Sequence, residues 1–343
     1  MSREAEVVVV GAGVMGLATA RALARAGRDV VVLEQFALGH DRGSSHGTSR
    51  IFRLSYPDAE WVALAQEALP LWRELEAETG TALLELHGSI DLGDWGVNRD
   101  ALVACGVAHE VLDRPEAERR FGLALEPGER ALLQPEGGVA LADRTLDALA
   151  ASAREHGARL LEHTRAVEVA ERGGGVRVTL ESDALDAAAA VVTAGAWAPR
   201  LVELAEALPT RETTAYFARE EPIPSLIDST LDGVHGYALT APGSGVKAGV
   251  HKTGPRTDPD APGDPDGTIA RACGEWLARR FPGLDPEPSR VETCIYMNLT
   301  DDRFTCDRRG RVVVGSPCSG HGFKFAPLIG ARLGALAESA LSS

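Results

Sequence analysis

The chain has no cysteine pair that could clamp a metal or staple a scaffold. Its five cysteines, Cys105, Cys273, Cys294, Cys306 and Cys318, are widely spaced, and no C-x-x-C or H-E-x-x-H occurs. Neither a zinc site nor a disulfide framework is expected, and no other metal site. Basic residues are in deficit: 35 Lys and Arg stand against 50 Asp and Glu, a formal charge of −15. A surface that acidic repels phosphate backbones and anionic lipid, which argues against nucleic acid or a membrane as partner. Long apolar runs are missing too. The longest weakly polar stretch, Val7 to Ala20, is too short to span a bilayer and is broken by three glycines. No internal repeat is visible. The N-terminus enters an apolar strand without the charged region and cleavage site of a secretory signal, which predicts a cytoplasmic protein with reduced thiols.

What is present is a nucleotide-binding signature at the start of the chain. Glu6 to Val10 is an apolar, β-branched run suited to a buried parallel strand. Gly11-Ala12-Gly13-Val14-Met15-Gly16 follows directly, then Leu17, Ala20, Leu23 and Ala24 recur at helical spacing until Gly27. Val30 to Leu33 reads as a second strand ending at Glu34. Together these make a βαβ dinucleotide fingerprint. The glycines let a pyrophosphate approach the helix N-terminus, and the acid accepts hydrogen bonds from ribose hydroxyls. An acid there disfavours NADP, but the motif does not separate FAD from NAD.

Length and an ordinary composition suit two domains, 343 residues being long for one. Helices are expected over Trp61–Thr79, Leu146–Gly157, Ile269–Phe281 and Phe325–Leu341, and strands over Arg159–Val169, Gly175–Leu180 and Ala189–Val192. Gly195-Ala196-Trp197 forms a small-residue turn after a strand, and Gly254–Gly267, rich in Pro, Asp and Gly, reads as a surface loop. The formal G-x-S-x-G at Gly43–Gly47 has neither the preceding strand nor the following helix of a nucleophile elbow, so a serine hydrolase is not expected. Arg50 and Arg53 after that loop suit bidentate carboxylate recognition, although composition alone favours a surface pair. Lys247 lies between Val246, Ala248 and Val250 and needs a partner or a cavity. Ser319-Gly320-His321-Gly322-Phe323-Lys324-Phe325 places small residues ahead of the last helix, where free N–H groups favour an anion or carbonyl oxygen.

The stretches Gly11–Gly16, His46–Arg53, Gly195–Trp197, Lys247–His251, Cys294–Tyr296 and Gly320–Phe325, in this order along nearly the whole chain, resemble the monomeric sarcosine oxidase and N-methyltryptophan oxidase family, FAD-dependent amino acid oxidases of the D-amino acid oxidase-like superfamily. The resemblance implies an α/β (α+β) fold. A Rossmann-type FAD-binding domain (1–87, 138–208 and 299–343) would be interleaved with an antiparallel-sheet substrate domain (88–137 and 209–298). It also implies oxidation of a secondary amino or imino acid, N-methyl or cyclic, by hydride transfer to flavin N5, with O2 as acceptor and H2O2 as product. FAD would be attached covalently as 8α-S-cysteinyl at Cys294, in a monomer or homodimer. Lys247 would be the oxygen-activating residue, with Arg50, His46, Tyr296 and His251 along the flavin face or pocket. Arg53 and Lys324 would bind the substrate carboxylate, with Tyr237 beside them. Expected FAD contacts are Gly11, Gly13, Val14, Met15, Gly16, Glu34, Gly43, Ser44, Arg50, Val167, Gly195, Trp197, Cys294, Gly320, Gly322, Phe323 and Lys324, while Cys318 is expected to be packing.

The chain departs from the sarcosine-oxidising pattern by shorter segments between Leu92 and Val107 and between Arg219 and Gly233. Gly236 also falls where those enzymes carry a tyrosine. This predicts a larger pocket for a cyclic or bulky amine, unless Tyr237 refills the gap by a shift of strand register. The rival readings are a flavin dehydrogenase that passes electrons to a carrier or partner subunit, and a non-catalytic flavin-binding subunit.

Overall fold

The computed structural model describes residues 5–231 and 234–342. Strand Ala5–Val10 is almost wholly buried and pairs in parallel with Val30–Leu33 on one side and Ala184–Val192 on the other. Such central strands need apolar residues on both faces, which the run of valines supplies. Arg159–Leu161 and Val312–Ser316 extend the parallel sheet, and Ala166–Arg172, Gly175–Leu180 and Thr305–Arg309 add antiparallel edges. The architecture is α/β, with a Rossmann-like parallel sheet joined to a separate, mainly antiparallel one.

The single strand expected over Arg159–Val169 is in fact two. Arg159–Leu161 closes one edge of the sheet beside Val30–Leu33, whereas Ala166–Arg172 lies at the opposite edge against Gly175–Leu180. His163 turns the chain between them at φ 52°. The main-chain amides of His163 and Thr164 donate to the carbonyls of Phe36 and Glu34. Apolar alternation cannot reveal such a break, because both halves are strand. The helix expected from Leu146 begins a turn earlier, at Ala142, and the last helix, Ala326–Leu341, is preceded by a 3-10 turn at Phe323–Phe325.

The second large sheet runs in the order Arg290–Asn298, Leu208–Phe217, Gly245–Val250, Gly236–Ala241, Ser225–Asp228, Ser89–Leu92, Ala131–Gln134, Glu110–Leu112. All its neighbours are antiparallel except Ser225–Asp228 beside Ser89–Leu92. Side chains alternate across a strand. Ala238, Val246 and Ala248 therefore face a core with Trp276 and Leu277 of helix Gly267–Arg280, and Lys247 between them faces the other way. A small sheet of Ser49–Phe52, Gly138–Leu141 and Leu84–Glu85 joins the two large ones. The loop Gly254–Gly267 is anchored at Asp260, which accepts from Trp197 Nε1 at 2.7 Å and Arg165 at 3.0 Å.

The first and last helices lie against each other at Gly330, where an added Cβ would fall 2.5 Å from Ala18 main-chain and side-chain carbon. A helical Gly→Ala change ordinarily stabilises by about 0.5–1 kcal/mol. Gly330→Ala should do the opposite and lower stability by about 1–3 kcal/mol through overpacking. Gly334→Ala, whose Cβ would stand 3.3 Å from Ala22 Cβ, a contact that a shift of a few tenths of an ångström relieves, should cost less than Gly330→Ala. Denaturant midpoints check this, and equal midpoints for wild type and Gly330→Ala would contradict the packing.

Candidate functional site

A cavity of about 910 Å³ runs from the glycine turn of the first βαβ unit to the inward face of the second sheet. At the nucleotide end, Gly11 sits at φ 101°, and a Cβ there would lie 2.7 Å from the Thr193 carbonyl oxygen, so only glycine lets these strands close up. Gly16 is not on the lining. A Cβ on it would meet the Gly11 carbonyl at 1.8 Å, so this glycine serves helix–strand packing. Gly13, Val14 and Met15 do line the cavity, and the Val14 amide donates to Ser45 Oγ at 3.1 Å. Glu34 accepts from the amides of Ala12 and Phe36, each at 3.0 Å. Burial alone would raise its pKa, but hydrogen bonds from His40, Phe36 and Ala12 hold the carboxyl below its ordinary value. Val167 lies at a break in the strand register with an exposed side chain, and Gly195 and Trp197 complete this end.

The middle of the cavity is built by strand register. Leu208–Phe217 places Tyr216 opposite Lys247 on one neighbour, and Glu212 and Thr210 opposite Cys294 and Tyr296 on the other. Cross-strand partners share a face, so Lys247, Cys294 and Tyr296 all point inward. Burial, then Arg50, pushes the Lys247 ammonium down to about 7, against the attraction of Cys294 and Glu292. Burial likewise raises the Cys294 thiol, opposed by Lys247 and Arg50. Arg50 stitches the loop before it by donating to the carbonyls of Ser44 and His46 at 2.8 and 2.6 Å, and its guanidinium lies 5.8 Å from the Phe323 ring centre. Gly43 and Ser44 line the cavity, and the Ser44 hydroxyl donates to the Ile295 carbonyl. His46, expected along the lining, is not on it. Its ring is buried and its pKa is pushed down to about 4 by burial, Arg50 and Lys247.

At the far end, Arg53 NH1 donates to Asp91 at 3.2 Å, and its guanidinium stands 4.7 Å from the Tyr56 ring centre. Lys324 Nζ donates to the Tyr56 hydroxyl at 2.8 Å and to the His321 carbonyl at 2.7 Å, which leaves one N–H free to bind a ligand. Burial, with Arg53 adding repulsion, holds this ammonium well below its usual value. Gly320 at φ 77° packs under His251 and Tyr296, where a Cβ would come within 2.6 Å of both rings, and Gly322 and Phe323 follow on the lining. His251 lines the cavity, its pKa pushed to about 4 by burial and Lys252.

The larger pocket expected from Gly236 has no basis in this geometry. A side chain at Gly236 would point out of the cavity, into Leu231 and Trp276. Tyr237 takes the inward place, on the cavity lining with Tyr296 and packed over Gly249, so the aromatic is displaced by one residue and the space is filled. Gly233, at the end of one shortened segment, lies outside the described residues. Cys318, expected as packing, also lines the cavity, and its sulfur accepts the Met297 amide at 3.3 Å.

Several residues of the site were missed. Tyr56 and Trp61 wall the far end, Asp91 is held by Ser55 and Asn98, and Tyr216 and Glu292 adjoin Lys247. Only Asp91 carried a readable signal, as an acid within the apolar run Ile90–Leu92.

The cavity suits a long dinucleotide cofactor. Its glycine cradle excludes side chains, and two buried hydroxyls on the lining, Thr214 Oγ1 and Ser316 Oγ, have no hydrogen-bond partner among the described residues. Among the described residues no cluster could hold a metal ion, and no helix is long and apolar enough to cross a membrane. Residues 6–336 match the DAO family, FAD dependent oxidoreductase. Peroxisomal sarcosine oxidase of Mus musculus is 32% identical, covering 95% of this chain and 90% of its own. Monomeric sarcosine oxidase of Bacillus sp. (strain B-0618) is 28% identical over 98% of this chain and 93% of that protein. Among solved structures, the open form of NikD, an unusual amino acid oxidase essential for nikkomycin biosynthesis, superposes with TM-score 0.87 at 29% identity, covering 98% and 94% of the two chains. With the fold, the glycine cradle and the family match in agreement, the chain belongs to the DAO family of FAD-dependent oxidoreductases.

Proposed function

We propose that this protein oxidises a secondary amino acid, N-methyl or cyclic, with FAD as the redox group and O2 as the final acceptor. The observation that carries the reading is the pairing of Arg53 with Lys324 at one end of a cavity whose other end is a dinucleotide turn. A buried lysine and a half-buried arginine, with Asp91 as the arginine's ion-pair partner, suit a substrate carboxylate. FAD, when bound, supplies the electron sink for the amine's C–H bond and the route to oxygen. The chain's own residues then have separable tasks. Arg53 and Lys324 fix the carboxylate, and Tyr56 holds Lys324 in place. Tyr237, Tyr296 and His251 shape the wall beside the reacting carbon. Lys247 holds a positive charge where negative charge develops during reaction with oxygen. Cys294 is the residue that would carry the 8α-S-cysteinyl bond. Lys247 and Arg50 favour its thiolate against the effect of burial.

In the proposed division, residues 1–87, 138–208 and 299–343 bind FAD and 88–137 and 209–298 bind substrate. The protein would work in the cytoplasm as a monomer or homodimer.

A screen of sarcosine, L-pipecolate and L-proline tests the reading directly. At least one should bleach the enzyme's visible absorbance without air and release H2O2 with it. Bleaching without peroxide would make the protein a dehydrogenase, and no bleaching by any of them would reject the substrate class. Acid precipitation should leave yellow colour in the protein pellet, and Cys294→Ala should release it. A white wild-type pellet contradicts covalent attachment. Arg53→Ala and Lys324→Ala should each weaken a competitive carboxylate such as methylthioacetate by about 2–5 kcal/mol, since each leaves the bound carboxylate short of a partner. Unchanged inhibitor affinity in both variants would place the anchor elsewhere.

A further inference from the structure

Lys247 is buried among groups of both signs, with Arg50 and Arg290 opposing its charge and Cys294 and Glu292 favouring it. Arg50 comes from strand Ser49–Phe52 and His46 from the loop before it. The Tyr216 hydroxyl comes from strand Leu208–Phe217, and Arg290, Glu292 and Cys294 from strand Arg290–Asn298. Asp143 at the start of helix Ala142–Glu155 also feels Lys247. Among the described residues, Glu292 is the carboxylate within ion-pair distance, with Oε1 3.8 Å from Nζ. That same oxygen accepts the Tyr216 hydroxyl at 2.5 Å. The other carboxylate oxygen lies 3.8 Å from Arg290 NH2, and the Arg290 guanidinium covers the Tyr216 ring at 3.9 Å. The Glu292 side chain is 23% exposed against 5% for Lys247, so the acid keeps partial contact with water while its partner has almost none.

We propose that Glu292, clamped by Tyr216, is a positioning residue that keeps Lys247 protonated. The inference rests on the reading of Lys247 as the residue that serves the reaction with oxygen. A buried ammonium loses its hydration and tends to shed its proton, and a carboxylate within about 4–6 Å reverses part of that loss. Burial and Glu292 itself raise the Tyr216 phenol above its usual value, so it stays a hydrogen-bond donor throughout the working pH range. That bond prevents Glu292 from swinging outward to solvent, and Arg290 closes the outer side.

Two measurements on the holoenzyme test the pair. The first follows the rate at which the reduced enzyme reacts with O2 between about pH 5.5 and 9.5, where a lysine lowered towards neutrality titrates. Lys247→Met should be slower by about a thousandfold, corresponding to about 4 kcal/mol. Wild type should lose rate as pH rises through the Lys247 midpoint. In Glu292→Gln that limb should move to acid by about one unit or more, making the variant roughly tenfold slower above both midpoints and equal to wild type at the acid end. A limb that stays in place overturns the proposal. The second is a thermal double-mutant cycle at about pH 6, below the Lys247 midpoint. Glu292→Gln should lower the melting midpoint in the presence of Lys247 but not in the Lys247→Met background. Equal losses in both backgrounds overturn the proposal, because they would make Glu292 a merely structural residue. If Lys247→Met reacts with O2 at the wild-type rate, the oxygen role of Lys247 fails, and the thermal cycle still decides whether Glu292 sustains its charge.

Discussion

Buried positive charge is the constraint around which the cavity is arranged. Arg50, Arg53, Lys247 and Lys324 all reach its lining, in a chain whose formal charge is −15. The described acids set against them are few. Asp91 serves Arg53 and Glu292 serves Lys247, while Lys324 has only the Tyr56 hydroxyl and a carbonyl. Buried cations are retained at such a cost only where something anionic completes them. A substrate carboxylate at Arg53 and Lys324, and negative charge arising on the redox group near Lys247, would complete the set. Burial first, and repulsion from Arg50 or Arg53 after it, holds both lysines below their ordinary pKa.

Two structural devices deliver those cations. The first is β-sheet alternation: the antiparallel sheet presents Ala238, Val246 and Ala248 to its own core and Tyr237, Lys247, Cys294 and Tyr296 to the cavity. A slip of one residue would exchange the two faces, so register and function are set together. The second is the approach of the C-terminal segment. Trp72 of helix Ala59–Thr79 donates to the Lys324 carbonyl at 2.7 Å, so a buried tryptophan fixes the turn that carries one anchor. The floor, by contrast, depends on close backbone contact, with Gly11 against Thr193 and Gly16 against Gly11.

The nucleotide end was legible because its signals are local. Strand, glycine turn, helix and terminal acid follow one another within a few dozen residues, and each has its own physical cause. Lys247 was legible as an anomaly in an apolar strand, although only the sheet shows which way it points. Glu292 and Tyr216 carried no signal, since an acid and a tyrosine in partly polar strands are ordinary until pairing sets them beside Lys247. The Gly236 expectation shows the limit most sharply. An ungapped count identified the right neighbourhood, but whether Gly236 or Tyr237 faces the cavity is a question of register, which the turn between the strands decides. The strand over Arg159–Val169 failed for a related reason: its two halves are alike in composition and separated by one left-handed residue, His163.

If the cavity holds cations in want of an anion, a ligand that supplies one must bring protons with it. Calorimetric titration of the holoenzyme with a competitive carboxylate, at several pH values up to the ordinary lysine range and in buffers of differing ionisation enthalpy, reads that uptake. An anion seated between Arg53 and Lys324 raises the depressed lysine pKa, so binding should draw a proton from the buffer, and Lys324→Met should abolish the uptake. Binding without uptake, or with proton release, would mean that no depressed ammonium meets the bound anion.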